Sequence, residues 1–226
     1  MMDGSASHDQ VQLALLHLAS PALPVGAYSY SQGLEMAIDL GLITDAGTAA
    51  AWISDALLFI VGRYEAPLWL RLRAACTRRD WPTLLFWNSE FIATRESAEL
   101  RAETVQMGYS MLELLRALDL TPPFEAPEMC YPAAQAWACE CWGVPAEAGL
   151  LAYLFGWVEN QVMAALKAVP LGQVSGQKML LTLRPRIAAV ARAAALMADH
   201  ELNTQAPAYA IISAAHESQY SRLFRS

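Results

Sequence analysis

The sequence predicts an all-α protein: a single compact domain of about ten helices with a flexible C-terminal tail. Two observations carry that prediction. Apolar residues recur at helical spacing in segment after segment, while no apolar/polar alternation runs long enough for a strand. Prolines, glycines and short polar residues fall where helices start and stop, and no self-similar unit of about 20–50 residues divides the chain.

In chain order, 1–10 reads as a flexible N-terminus, 11–212 as the helical body and 213–226 as the tail. A first helix fits 11–18, through Leu13 and Leu16. Pro21 and Pro24 then fix φ and remove two donors, so no helix passes through them, and Gly26 allows a turn. This stiff elbow opens onto a helix over 29–40, with Ser29 or Ser31 taking up its first N–H groups, Glu35 near its positive end and Gly41 stopping it. Asp45 caps a helix reaching Arg63, Pro67 opens another to Arg79, and Asp80-Trp81-Pro82 opens a fifth through Ile92.

The stretch 94–103 is the densest in charge. Arg95 and Glu99 are spaced to pair across one turn, while Ser97 with Arg101 and Glu99 with Glu103 share faces. It reads as a solvated helix start. Helix continues to Leu118, and a proline-marked loop covers 121–127. Helices follow over 132–142 and from Pro145 to Ala168, with a break at 170–173. The next helix, from Ser175, is expected to kink at Pro185 and resume to Asp199, and 203–207 looks loose.

Composition narrows the function. The formal charge is −7, which argues against nucleic acid, since that partner needs a basic patch to displace counterions. Hydrophobic residues make up 55% and charged ones 16%, a balance that leaves apolar surface for other proteins to cover. The longest uncharged stretch, 11–34, is interrupted by prolines and polar residues, so no membrane span is expected. Without a basic start and apolar core at the N-terminus, a cytoplasmic location is expected, with Cys76, Cys130, Cys139 and Cys141 as reduced thiols.

Signatures of phosphate loops, dinucleotide folds, zincins and nucleophile elbows are missing, and His8, His17, His200 and His216 lie in separate contexts. Cys139 and Cys141, two apart on a helix, point about 200° away from one another and do not chelate one ion. The expectation is therefore no catalytic residues, no metal and no cofactor.

Two stretches look built for contact. Tyr28, Tyr30, Ser31 and Gln32 crowd hydrogen-bonding groups onto the elbow, either as a surface to be touched or as a corner filled by its own tyrosines. In the tail, Tyr220, Leu223 and Phe224 form an apolar face beside Arg222 and Arg225. That face suits either an anchor that orders on a partner or a last segment docked on its own core.

The run Leu18-Ala-Ser-Pro-Ala-Leu-Pro-Val-Gly-Ala-Tyr-Ser-Tyr-Ser-Gln-Gly-Leu-Glu35 resembles the signature of the urease accessory protein UreF family. The stretches 95–101, 167–173 and 216–226 agree in order and spacing, so the resemblance covers essentially the whole chain. Ala27, Ser97 and Ser218 are small departures, where glycine or threonine is frequent. The resemblance implies a non-catalytic chaperone that works as a homodimer with UreD (UreH) and the GTPase UreG, delivering nickel to apo-urease. It also implies a partner surface made of Tyr28, Ser29, Ser31, Gln32 and Glu35; Lys167, Pro170, Gly172 and Gln173; and His216, Glu217, Tyr220, Arg222, Leu223, Phe224 and Arg225. A gating or activating role on the UreG GTPase is the alternative, with Arg95, Arg222 or Arg225 reaching the nucleotide.

Overall fold

Ser7 is the first residue described by the computed structural model, which covers 7–226. Its hydroxyl accepts from the Gln10 N–H while the Gln10 side chain accepts from the Ser7 N–H, a reciprocal cap that opens α1, His8–Leu18. This helix begins three residues before the expected start, because the cap and not the first large apolar residue sets the boundary. The flexibility expected of 1–6 lies outside the described residues.

The helix expected over 29–40 is broken. A single 3-10 turn covers Ala27–Ser29, Tyr30 is extended, and Gln32 and Gly33 take φ of 53° and 79°. Two successive left-handed residues cannot continue a right-handed helix. α2 is therefore only Leu34–Asp39. Ser31 still does the work assigned to it, its hydroxyl accepting from the Glu35 N–H at 3.3 Å.

Asp45 caps α3, Ala46–Ala56. Instead of ending near Arg63, the helix passes into a π-helical stretch, Leu57–Glu65, and on into α4, Ala66–Arg78. Pro67 explains how the rod survives its proline. It has no N–H to give the Arg63 carbonyl, and the Asn203 N–H donates to that carbonyl at 3.3 Å. Asp80 caps α5, Trp81–Ala93, and Ser97 caps α6, Ala98–Ala117. α7 is Tyr131–Cys141, α8 Ala146–Ala168, α9 Gln173–Leu196 and α10 Pro207–His216. α9 runs unbroken through Pro185, which sits on its exposed side. The described residues form no strand.

α4 is the hub, packed against α5, α7, α8 and α9. Trp69, Leu68 and Leu72 are fully buried along it, and the Trp69 indole N–H donates to Gln135 Oε1 of α7 at 2.6 Å. α6 approaches the loop before α7 so closely that a Cβ at Gly108 would lie 2.0 Å from the Met129 carbonyl oxygen. This framework holds the elbow, the start of α6 and the tail together at one end of the molecule.

Candidate functional site: the elbow–tail junction

After α10 the chain does not run free. Residues 217–226 fold back onto the elbow and the start of α6, held largely by two carboxylates. Glu35, 6% exposed, accepts from the Leu223 N–H at 2.6 Å and the Phe224 N–H at 3.0 Å. Its Oε2 lies 3.2 Å from Nε2 of His216, a fully buried ring whose Nδ1 lies 2.6 Å from Glu99 Oε2. Both ring nitrogens thus face carboxylates. Arg222 pairs with the other Glu99 oxygen.

Further clasps complete the junction. The Arg225 N–H donates to the Ser29 carbonyl at 2.8 Å. The Ser226 carbonyl oxygen accepts from the Ser31 and Gln32 N–H groups at 2.7 and 3.0 Å and from the Ser31 hydroxyl. The left-handed turn at Gln32 is what lets neighbouring N–H groups converge on one oxygen. Glu217 accepts from the Ala98 N–H at 2.7 Å, capping α6 from outside. Lys167 of α8 donates to the Tyr28 carbonyl at 3.3 Å and sits 5.6 and 5.4 Å from the Tyr28 and Phe224 ring centres, joining elbow to tail.

Beneath the elbow lies a cavity of about 200 Å³ whose walls come from the elbow, α6, α7 and α8. Gln32 faces it, donating to Glu103 Oε1 at 2.6 Å and accepting from the Trp157 indole N–H at 2.7 Å. Glu103 also accepts from the Ser226 hydroxyl, and burial pushes its carboxyl up to about 7 against the pull of these hydrogen bonds. Deeper in, Glu65 pairs with Arg95 at 2.6 Å and accepts from the Tyr153 hydroxyl at 2.8 Å. Burial works against the Arg95 charge, but the carboxylates of Glu65 and Glu96 outweigh it, so the guanidinium is held more firmly than usual.

The structure therefore corrects the reading of 94–103 as a solvated helix start. Arg95 is 7% exposed and pairs with Glu65 of the π stretch, not with Glu99; Ser97 and Glu103 are buried. Paired in this way, Arg95 has no free guanidinium to offer a partner's nucleotide. Glu65, Glu99, Glu103 and Trp157 belong to the junction but are not among the contact residues that the sequence suggests. The i, i+4 spacing of Glu99 and Glu103 was visible; that their partners sit at the far end of the chain was not.

The candidate residues divide cleanly. Ser29, Ser31, Gln32, Glu35, Lys167, His216, Glu217, Arg222, Phe224 and Arg225 take part in one network. Tyr28 at 66%, Tyr220 at 104% and Leu223 at 69% exposure are presented to solvent beside it. Pro170 and Gly172, in the turn after α8, and Gln173, the first residue of α9, are exposed, and no hydrogen bond ties them to elbow or tail. Of the two readings of the tail, the geometry is that of a docked segment with Phe224 buried. Glu159 lines the cavity, and burial raises its carboxyl.

Among the described residues, no group of three or more histidine, cysteine or acidic side chains stands in metal-holding geometry. No described helix is long and apolar enough to cross a membrane. Burial pushes the Cys139 thiol up to about 12 and the Cys141 thiol up to about 11, which suits inert thiols. The site is a set of interlocked surfaces.

Comparison with known proteins identifies the family. The UreF family model matches residues 43–184. A urease accessory protein UreF from Delftia acidovorans is 51% identical, covering 94% of this chain and 96% of its own length. One from Cupriavidus metallidurans is 48% identical over 95% and 97%. A bifunctional urease accessory protein UreEF from Bordetella bronchiseptica is 50% identical, covering 97% of this chain and 53% of its own. The all-helical fold, the matched model and these full-length likenesses place the chain in the UreF family of urease accessory proteins.

Proposed function

We propose that the chain is a non-catalytic scaffold of urease maturation in the cytoplasm. With UreD (UreH) and the GTPase UreG, it promotes GTP-dependent nickel insertion into apo-urease, working as a homodimer within that assembly. The observation that carries this reading is the junction itself. Segments 18–35, 95–101 and 216–226, far apart in sequence, meet on one face, where Tyr28, Tyr220 and Leu223 stand exposed on a rigid polar base. Exposed aromatics on a pre-ordered support are what a protein partner can bind without ordering cost. The Bordetella bronchiseptica relative, whose name joins two accessory functions in one protein, supports work inside an assembly.

Nickel is cargo in this reading. A gating action on UreG is favoured by one detail: Lys167 bridges elbow and tail, so a partner that displaces either one alters both. The test is co-expression of apo-urease with UreD, UreG and nickel, with and without this chain, reading ammonia release and bound nickel. Dependence of both on the chain is expected, and full nickel loading without it would overturn the proposal. GTP hydrolysis by UreG within the complex, compared for wild type and Lys167→Ala, tests the gating role; an unchanged rate removes it.

A further inference from the structure

The outer face of α9 is cationic and partly apolar. α9 holds Lys178, Arg184, Arg186 and Arg192, four of the chain's 15 cationic residues, and none of its 22 acids. Without these four the formal −7 becomes −11 for the rest of the molecule. Arg186 is spent on the Ser54 hydroxyl of α3. Lys178, Arg184 and Arg192 are exposed and make no ion pair among the described residues.

The cations do not stand alone. Val174, Leu181 and Leu196 are 68%, 63% and 87% exposed on the same helix. The order Val174, Lys178, Leu181, Pro185, Arg192, Leu196 advances by three, four or seven residues, so these positions form one stripe along about six turns, with Arg184 flanking it. The opposite side of α9, with Met179, Leu183, Ile187 and Val190, is buried against α8, α3, α4 and the π stretch. Pro185 adds a detail, since it has no N–H to give the Leu181 carbonyl on that outer side.

We propose that this ridge, separate from the elbow–tail junction, docks a partner protein through a groove that is acidic at its rims and apolar at its floor. The charge argument selects the occupant. A second copy paired symmetrically through this face would set cations against cations, a like-charge contact that is disfavoured. An anionic bilayer gains only about 1 kcal/mol per cation near its surface, against a chain whose remaining charge is −11. An acidic, apolar-floored protein surface matches both kinds of side chain at once. Alternation of cation and leucine also fixes register, which a purely apolar stripe would not.

The inference rests on the maturation reading for its probes: purified apo-urease, UreD and UreG. The variants are Lys178→Glu/Arg184→Glu/Arg192→Glu and Lys178→Gln/Arg184→Gln/Arg192→Gln, all at exposed positions and checked for unchanged helicity. At about 50 mM salt, one of the three probes is expected to bind wild type at least about tenfold more tightly than the Glu variant. The Gln variant should fall between, and the gap should narrow at about 500 mM salt. Equal binding of all probes by wild type and Glu variant overturns the ridge. So does a Glu variant that loses only self-association, or only capture by phosphatidylglycerol vesicles, while protein binding stays intact. Urease activation is measured in parallel. If wild type fails to support it, the maturation reading falls; if wild type activates and the Glu variant both binds and activates equally, only the ridge falls.

Discussion

The α4–α7 core and the elbow–tail junction are both buried, but they are held by different forces. Around Trp69, Leu68 and Leu72 the contacts are mostly apolar, with the indole hydrogen bond to Gln135 and the Arg73–Glu140 pair as the polar exceptions. At the junction the buried groups are Glu35, Glu103, Ser31 and His216, satisfied by one another and by backbone N–H groups of the tail. The first arrangement is non-directional and tolerates small shifts. The second works only while every partner is present. A core built in the first way makes the chain fold, and a clasp built in the second can hold one defined surface and let it go when a single partner is removed.

Breaking each region should expose that difference. Trp69→Ala removes the largest fully buried side chain and leaves Gln135 unpartnered; a loss of about 3–5 kcal/mol in urea unfolding is expected. The whole chain should lose stability together, with the tail no worse affected than the rest.

Glu35→Ala strands the Leu223 and Phe224 N–H groups and one nitrogen of His216. Because the tail can undock and hydrate these donors, the global loss should be smaller, about 2 kcal/mol. Cleavage after Arg222 or Arg225 by trypsin should accelerate well before the body unfolds. Equal protection of tail and body in this variant would contradict the division between the two regions.

Glu103 sharpens the comparison through pH. Its folded carboxyl lies near 7, above the ordinary value of 4.5, so the folded state favours the protonated form and ionisation works against folding. The sign follows: that cost is absent at low pH, grows as pH rises through 4.5 towards 7, and is complete above 7. Glu103→Gln should therefore gain stability relative to wild type between about pH 5 and 8, by up to about 3 kcal/mol. A melting-temperature difference that stays flat across that range would remove Glu103 from the titrating groups.

The same contrast decides what could be read from sequence. Caps at Asp45 and Asp80 follow from local rules, and the structure has them. The rod through Pro67 was not legible, because its proline is accommodated by Asn203, a residue well over a hundred positions away. Arg95 and Glu99 carried the right spacing to pair, yet Glu65 and His216 outcompete that local partner by being buried with them. Exposed aromatics of the elbow and tail could be picked out by composition. Their supports, Glu65, Glu103 and Trp157, could not, since each acts through contacts made only once the chain is folded.

The most direct test of the docked junction is amide hydrogen exchange of Leu223 and Phe224 in the isolated chain, read against Trp69 in the core. Their N–H groups are held by Glu35, so exchange slowed by orders of magnitude from the unstructured-peptide rate is expected, with that protection lost in Glu35→Ala. Exchange of both amides at the unstructured rate in the wild-type chain would contradict the account, leaving a tail that takes up its place only on a partner.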